Sequence, residues 1–348
     1  MITYFTTQII LISSAWLGRN GQAIQRLLYW VILAGLSIFV GFRLNVGCDF
    51  DAYLLHFSYG TERAFEKVFT SLDPGHWLLI SFLNYLELHP QSLNVVASIL
   101  FFTGLHSLAR LQPDRLAFLV LCFPILIINM PMAAVRQSVA IGFMCLALAA
   151  FINRRSFLFL TWIFIGSTFH SSILVFLSIF PFLNRRLSIP NIGIALAFAA
   201  PIIFVILQTE AAQLAATRYI EGGSQSQGAI YRLSMLALTS FYFLFRLAPL
   251  WKKQFPFDYN FYLLGAWMML ASLSLLFVST VIADRFGYYL IPIQAMLFAR
   301  IPYLDLGRFR QIHAFLPYAL LTIVFIFWAQ SSWHFQECYV PYNFGFGS

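Results

Sequence analysis

Charged side chains are scarce in this sequence. Asp, Glu, Lys and Arg make up 10% of its 348 residues, against about 25% in soluble domains. A chain so poor in charge cannot cover a water-exposed surface, which excludes a soluble globular enzyme. Only four cysteines are present, too few for a disulfide scaffold. The catalytic signatures of soluble chemistry are missing as well: there is no Walker motif, no GxGxxG, no GxSxG and no HExxH. The histidines His76, His89, His106 and His313 show no metal-ligand spacing, so neither a metal nor a cofactor is expected.

Apolar residues fill the space that charge leaves. Hydrophobic residues reach 60%, aromatics 18%, and mean hydropathy is +0.79. Their runs are continuous rather than alternating, which excludes a transmembrane β-barrel, and many approach the ~20 residues that cross a bilayer as a helix. The runs cover residues 2–17, 27–42, 76–88, 92–109, 116–131, 134–152, 156–168, 171–183, 191–208, 230–248, 259–282, 286–303 and 314–330. The first has no basic leader and reads as a span rather than a cleaved signal. The expected fold is an all-α polytopic membrane protein, a single integral domain over 1–348 with no soluble domain.

The cations sort the loops. Fourteen lie in one set: Arg19, Arg26, Arg110, Arg115, Arg154, Arg155, Arg185, Arg186, Arg246, Lys252, Lys253, Arg300, Arg308 and Arg310. Seven lie in the other: Arg43, Arg63, Lys67, Arg136, Arg218, Arg232 and Arg285. Positive loops stay inside, so the richer set is cytoplasmic, and the excess of cations reports topology rather than nucleic-acid binding. Alternation then holds throughout if 76–88 and 92–109 together cross once. The former is about 20 Å of helix, too short for ~30 Å of hydrocarbon, and is read as re-entrant or interfacial. About twelve crossings result, with both termini outside and the main outer loops at 43–75 and 209–229. The stretch 156–183 carries an arginine pair at each end on the same side. It is expected to form two half-length helices turning below the outer surface, with His170 on the floor of an outward-facing cavity.

Ionisable groups at membrane depth are usually functional, and the outer face holds several. After the second span come Arg43, Gly47, Asp49, Asp51, Tyr53 and His56. In a helix starting at Asp49, that residue, Tyr53 and His56 share a face; Asp49 reads either as a general base or as an N-cap. Pro131 interrupts the next region, and Arg136 with Gln137 and Ser138 opens a helix behind it. An arginine there is suited to phosphate, because its planar fork matches phosphate oxygens. Asp284, Arg285 and Tyr289 form a third group, readable either as a site or as a local Asp284–Arg285 cap with belt tyrosines. The loop 209–229 is polar and Gly/Ser-rich, a lid or a plain connection. Cys122 and Cys145 sit in apolar runs as core residues. Cys48 and Cys338 fall on one side of the membrane, and their pairing is open.

Five short elements now stand in a recognisable order. Arg43-x-x-x-Gly47-x-Asp49-x-x-x-Tyr53 resembles the R-x-x-x-G-x-D-x-x-x-Y element of the EpsG family, the Wzy-like polymerases of bacterial surface polysaccharides. Asp73-Pro74-Gly75 resembles that family's E-P-G element with Asp for Glu. Val135-Arg136-Gln137-Ser138-Val139-Ala140 resembles R-Q-x-I-A with Val for Ile. Phe169-His170-Ser171-Ser172 is similar to F-H-x-S, and Arg285-x-x-x-Tyr289 to the late R-x-x-x-Y. The resemblance implies a multi-pass protein of the bacterial inner membrane with its active site facing the periplasm. It implies an O-antigen, capsule or exopolysaccharide polymerase, a glycosyltransferase that moves a growing glycan from undecaprenyl diphosphate onto a lipid-linked repeat unit. Its partners would be that lipid-linked oligosaccharide, the bilayer and a chain-length regulator. No nucleotide sugar is used, in keeping with the missing nucleotide motifs.

Charge develops on the diphosphate as it leaves, so arginines are needed there. On this reading Arg136 and Arg285 bind diphosphate with Arg43 in support. Asp49, then His170, takes the acceptor's proton. Tyr53, Gln137, Tyr289 and Asp73 contact sugar or other parts of the substrate. Two alternatives compete: another lipid-phosphate-dependent glycosyltransferase such as an O-antigen ligase, and a lipid-linked oligosaccharide flippase or transporter. A ligase needs a large periplasmic loop that is not seen here; a transporter would show related halves with paired broken helices.

Overall fold

A computed structural model of the chain describes residues 1–183, 185, 187–207, 217, 226 and 228–345. It is an all-α membrane protein. Among the described residues six helices are long and apolar enough to cross a bilayer. These are α2 (Gln22–Gly41), α6 (Gln91–Ala109), α8 (Val135–Ile152), α11 (Ala229–Gln254), α12 (Tyr259–Phe277) and the helix that includes α14 (Arg310–Ser331). Shorter apolar helices accompany them: α1 (Ile2–Leu17), α7 (Arg115–Cys122), α9 (Ser156–Ser167) and a 3-10 helix over Ser171–Phe182. The remaining long helices are α10 (Ile189–Leu207) and α13 (Thr280–Arg300). The outer helices turn Ile9, Ile10, Leu27 and Val31 outward, as surfaces solvated by lipid do.

The centre of the bundle is α8, buried along most of its length and packed against α6 and α9. Gly104 and Gly142 let α6 and α8 approach closely, since a Cβ on Gly104 would lie 2.1 Å from the carbonyl oxygen of Gly142. Small residues serve this purpose where no hydrophobic effect drives helices together. α13 is the second central helix, buried from Gly287 to Arg300 and packed on α7 and α11.

One end of the bundle is built from short elements. α3 (Phe50–Phe57), α4 (Gly60–Thr70) and α5 (Pro74–Tyr85) pack together there. α5 crosses nothing. Its start is tied to Arg136 through Asp73, and the Asn84 amide near its end donates to the Phe57 carbonyl at 3.1 Å. Gln91, at the start of α6, donates to the Arg43 carbonyl at 2.8 Å, so α5 begins and ends at this same end. The first turn of α1 and the last described residues lie here too. The Tyr4 hydroxyl donates to the Tyr339 carbonyl at 2.9 Å, and the short strands β1 (Arg43–Leu44) and β2 (Asn343–Phe344) pair antiparallel. Cys48 and Cys338, whose pairing the sequence left open, form a disulfide between the α2–α3 loop and α15 (Trp333–Tyr339).

The tight stretch 156–183 is a hairpin, but only its first arm is α-helical; the second winds as 3-10. Twelve residues of α-helix rise about 18 Å, so the tip at Thr168–His170 stands within the depth of the bundle. The segment 116–131 is also broken: α7 passes into a π turn over Phe123–Ile127 at Pro124. Apart from Thr217, Ser226, Gly228 and Ala229, the expected outer loop 209–229 lies outside the described residues.

Candidate functional site

The polar elements of that end converge. Arg43 closes α2 and is 1% exposed. Its Nε donates to the carbonyls of Val46 (3.2 Å) and Met132 (3.0 Å), its Nη1 to Val40 (2.7 Å) and its Nη2 to Asn94 Oδ1 (3.0 Å). Burial pulls its pKa down to about 10, so it stays charged at neutral pH. A guanidinium committed in this way cross-links loops instead of presenting a fork to a ligand. This revises the supporting diphosphate role expected for Arg43. Gly47 adds a second link to the same loop: it has φ +102° and its backbone lies where a Cβ would be 1.9 Å from the Met132 carbonyl oxygen. The loop so gripped leads directly into Arg136.

Arg136 opens α8. Its Nη1 donates to Asp73 Oδ2 at 2.5 Å, and its backbone N–H donates to the Tyr53 hydroxyl at 3.3 Å. The side chain is 39% exposed, so the cation is reachable from the surface at this end. Gln137, next along α8, donates from Nε2 to the Arg285 carbonyl at 2.7 Å and brings the first turns of α8 and α13 side by side. The charges of Arg136 and Arg285 both act on Asp73. Burial nonetheless raises the Asp73 pKa above its ordinary 3.8, opposed by the two arginines.

The hairpin tip docks on the same cluster. The Gly75 N–H donates to the Thr168 carbonyl at 2.8 Å, joining the Asp73-Pro74-Gly75 element to the Phe169-His170 turn. His170 Nδ1 and the Ser172 hydroxyl are 2.8 Å apart, and Ser172 is 3.0 Å from the Tyr289 hydroxyl on α13. Burial, reinforced by the charges of Arg285 and Arg136, pushes His170 down to about 3, so it is neutral at working pH.

Arg136, Gln137, Arg285, Asp73, Tyr53, His170 and Tyr289 are thus one connected set. Asp49 is at its margin. It stands exposed before α3, one turn from Tyr53, and makes no side-chain cap. Its charge acts on Tyr53 and Tyr339.

Two neighbours, His76 and Arg232, were not singled out as site residues from the sequence. His76 lies against the Tyr53 ring at 5.7 Å between centroids and 3.4 Å from His56, nitrogen to nitrogen. Burial lowers the pKa of both histidines. Asp284 pairs with Arg232 in bidentate fashion, at 2.6 and 2.5 Å, and not with Arg285 as a local cap; the cap of α13 is Ser279. Arg232 also lies 4.9 Å from the Tyr288 ring centroid. A signal existed for this pair, since an arginine within an apolar helix demands a partner. Among the described residues no cluster of three or more metal-ligating side chains occurs.

Long apolar helices around a cation-rich polar cluster at one end define a membrane protein. The sequence model of the EpsG family matches residues 26–344, nearly the whole chain. The chain belongs to the EpsG family, which is a family of Wzy-like polymerases. No curated protein and no solved structure matches it significantly.

Proposed function

We propose that the protein is a polysaccharide polymerase of the bacterial inner membrane, with about twelve crossings and both termini in the periplasm. A glycan carried on undecaprenyl diphosphate is transferred there to a hydroxyl of a second lipid-linked repeat unit. The observation that carries this reading is the union of Arg136, Asp73, Gln137, Arg285 and His170, drawn from elements more than 200 residues apart. The Cys48–Cys338 disulfide at the same end supports the orientation, because disulfides persist in oxidising compartments such as the periplasm.

In this mechanism the acceptor oxygen bonds to the anomeric carbon as the bond from that carbon to the diphosphate oxygen breaks. The leaving diphosphate keeps the electron pair, and Arg136 and Arg285 neutralise its growing charge. Asp73 occupies Arg136 in the resting site. Arrival of diphosphate displaces that carboxylate from the arginine and frees it to accept the hydroxyl proton. We therefore place Asp73 ahead of Asp49 as base. His170, neutral and fixed by Ser172, orients the acceptor. Tyr53, Gln137 and Tyr289 hold the surrounding geometry.

The test is made in cells. Arg136→Ala or Arg285→Ala should leave lipid A core capped by a single repeat unit, without ladders, at undiminished protein level. Wild-type ladders in both variants would remove the arginines from the mechanism. Loss of all transfer to lipid A would favour a ligase, and lipid-linked units stranded in the cytoplasmic leaflet a flippase.

A further inference from the structure

The opposite end of the bundle holds a second built feature that the reaction above does not use. A cavity of about 280 Å³ opens where the end of α8, the foot of the 156–183 hairpin and the start of α12 meet. Arg154, Phe182, Arg185, Phe257, Asp258 and Asn260 are among its walls. It is remote from Arg136, since α8 separates the two by 18 residues, about 27 Å.

Its electrostatics are one-sided. Asp258 is the one acidic residue in the lining, and it is paired with Arg300 at 2.6 Å. Arg300 is further held by Gln112 and by the Leu111 carbonyl, which leaves Asp258 Oδ1 as the one oxygen of the pair without a hydrogen bond among the described residues. Arg154 and Arg185 are left without a carboxylate partner among the described residues. Arg154 is also pre-positioned. Its backbone sits at φ +57°, its N–H bonded to the Phe151 carbonyl at 2.9 Å, and its guanidinium lies 5.6 Å from the Phe257 ring centroid. Two cations facing one hollow call for an anion, and arginine forks match phosphate oxygens.

The surroundings decide which phosphate. The walls beside the arginines are aromatic, and Phe257 and Phe157, 63% and 79% exposed, face outward at this level of the bundle. A free phosphate has no use for such walls. A head group that enters from the bilayer, with glycerol and the first methylenes behind its phosphate, fits both halves of the lining. We propose that this cavity binds the head group of an anionic phospholipid. The lipid would bridge the α8–α9 turn, through Arg154, to the returning arm of the hairpin, through Arg185. The hairpin whose tip bears His170 is thereby clamped at its foot.

The proposal does not depend on the polymerase reading, because binding is its readout. Purified full-length protein is examined by native mass spectrometry and thermal shift with phosphatidylglycerol, cardiolipin, phosphatidylcholine and inorganic phosphate in turn. The anionic lipids should remain bound and raise Tm, whereas phosphatidylcholine and phosphate should do neither. Arg154→Gln/Arg185→Gln should weaken anionic-lipid binding roughly thirtyfold, about fivefold per lost cation, with Tm in phosphatidylcholine unchanged. Lys252→Gln, a cation in α11 outside the lining, should bind as wild type. Asn260→Trp, which fills the hollow but keeps both arginines, should also lose the lipid and gives a second route if the double variant folds poorly. Equal binding of phosphatidylcholine or phosphate, equal weakening by Lys252→Gln, or undiminished binding in the Arg154/Arg185 or Asn260 variants would overturn the proposal.

Discussion

Gly47→Ala perturbs the site without touching a group that meets substrate. The added methyl would lie 1.9 Å from the Met132 carbonyl oxygen, where real contacts rarely fall below 3.0 Å. The two backbones must therefore separate by at least 1.1 Å, the difference of those distances. The residue must also hold φ +102°, a left-handed conformation costing about 1–2 kcal/mol for a side chain. Met132 cannot retreat alone, because Arg43 Nε holds the same oxygen at 3.0 Å. The shift therefore passes along the loop to Arg136, four residues on. A displacement near 1 Å in a positioned group costs about 10²-fold in rate. Gly47→Ala should thus shorten the glycan ladder sharply and cut turnover about a hundredfold while the protein still accumulates. Gly35→Ala is the control: nothing lies within 4 Å of its added carbon, and in mid-helix alanine is favoured by about 1 kcal/mol. Full-length ladders and wild-type turnover in Gly47→Ala would refute the claim that Gly47 and Arg43 set the position of Arg136.

Asp73→Asn should lower turnover at least ~10²-fold without lowering Tm. Burial raises the Asp73 pKa in the fold, so its ionised form weighs against folding above the ordinary 3.8 and an amide relieves that burden; a large drop in Tm would mark Asp73 as structural. For the same reason the acid limb of the activity profile should lie above pH 3.8 and vanish in the variant. His170 is depressed to about 3, so the unfolded chain takes up its proton first as pH falls below the ordinary 6.5. Stability from this residue is complete above that value and is lost between about 6.5 and 3. His170→Asn should therefore lose less Tm than wild type between roughly pH 7 and 5, and a parallel decline would contradict the buried neutral histidine. Cys48→Ser should leave Cys338 open to a membrane-impermeant maleimide added to intact spheroplasts; labelling only after lysis would reverse the orientation.

Much of this architecture is legible in the sequence because it follows from the bilayer. Apolar runs mark the helices, and arginine pairs at both feet of 156–183 betray a tight hairpin with half-length arms. The shortness of 76–88 likewise separates α5 from the spans. The polar cluster is legible as a set of residues: Arg136, Asp73, His170 and Arg285, assigned to one side from the sequence, lie together. Their bonds are not legible. Arg43 is held by main-chain carbonyls, which no residue type announces. Asp284 adjoins Arg285 in sequence, yet one helical position turns it to Arg232 on α11. The 3-10 winding of Ser171–Phe182 contains Pro181, but its apolar pattern is that of an ordinary helix. Asn94 and Gln91, buried polar groups at the start of α6, were the overlooked signal that something charged lay beside them.

The central claim is that arginines at the outer end grip a lipid diphosphate while sugar leaves it. Its most direct measurement is turnover by the purified protein with defined undecaprenyl-diphosphate-linked repeat units and no added nucleotide sugar. A ladder of products with release of undecaprenyl diphosphate is predicted, reduced about 10²–10³-fold by Arg136→Ala. No ladder from folded wild-type protein on its own repeat unit, or equal ladders from wild type and Arg136→Ala, would contradict it.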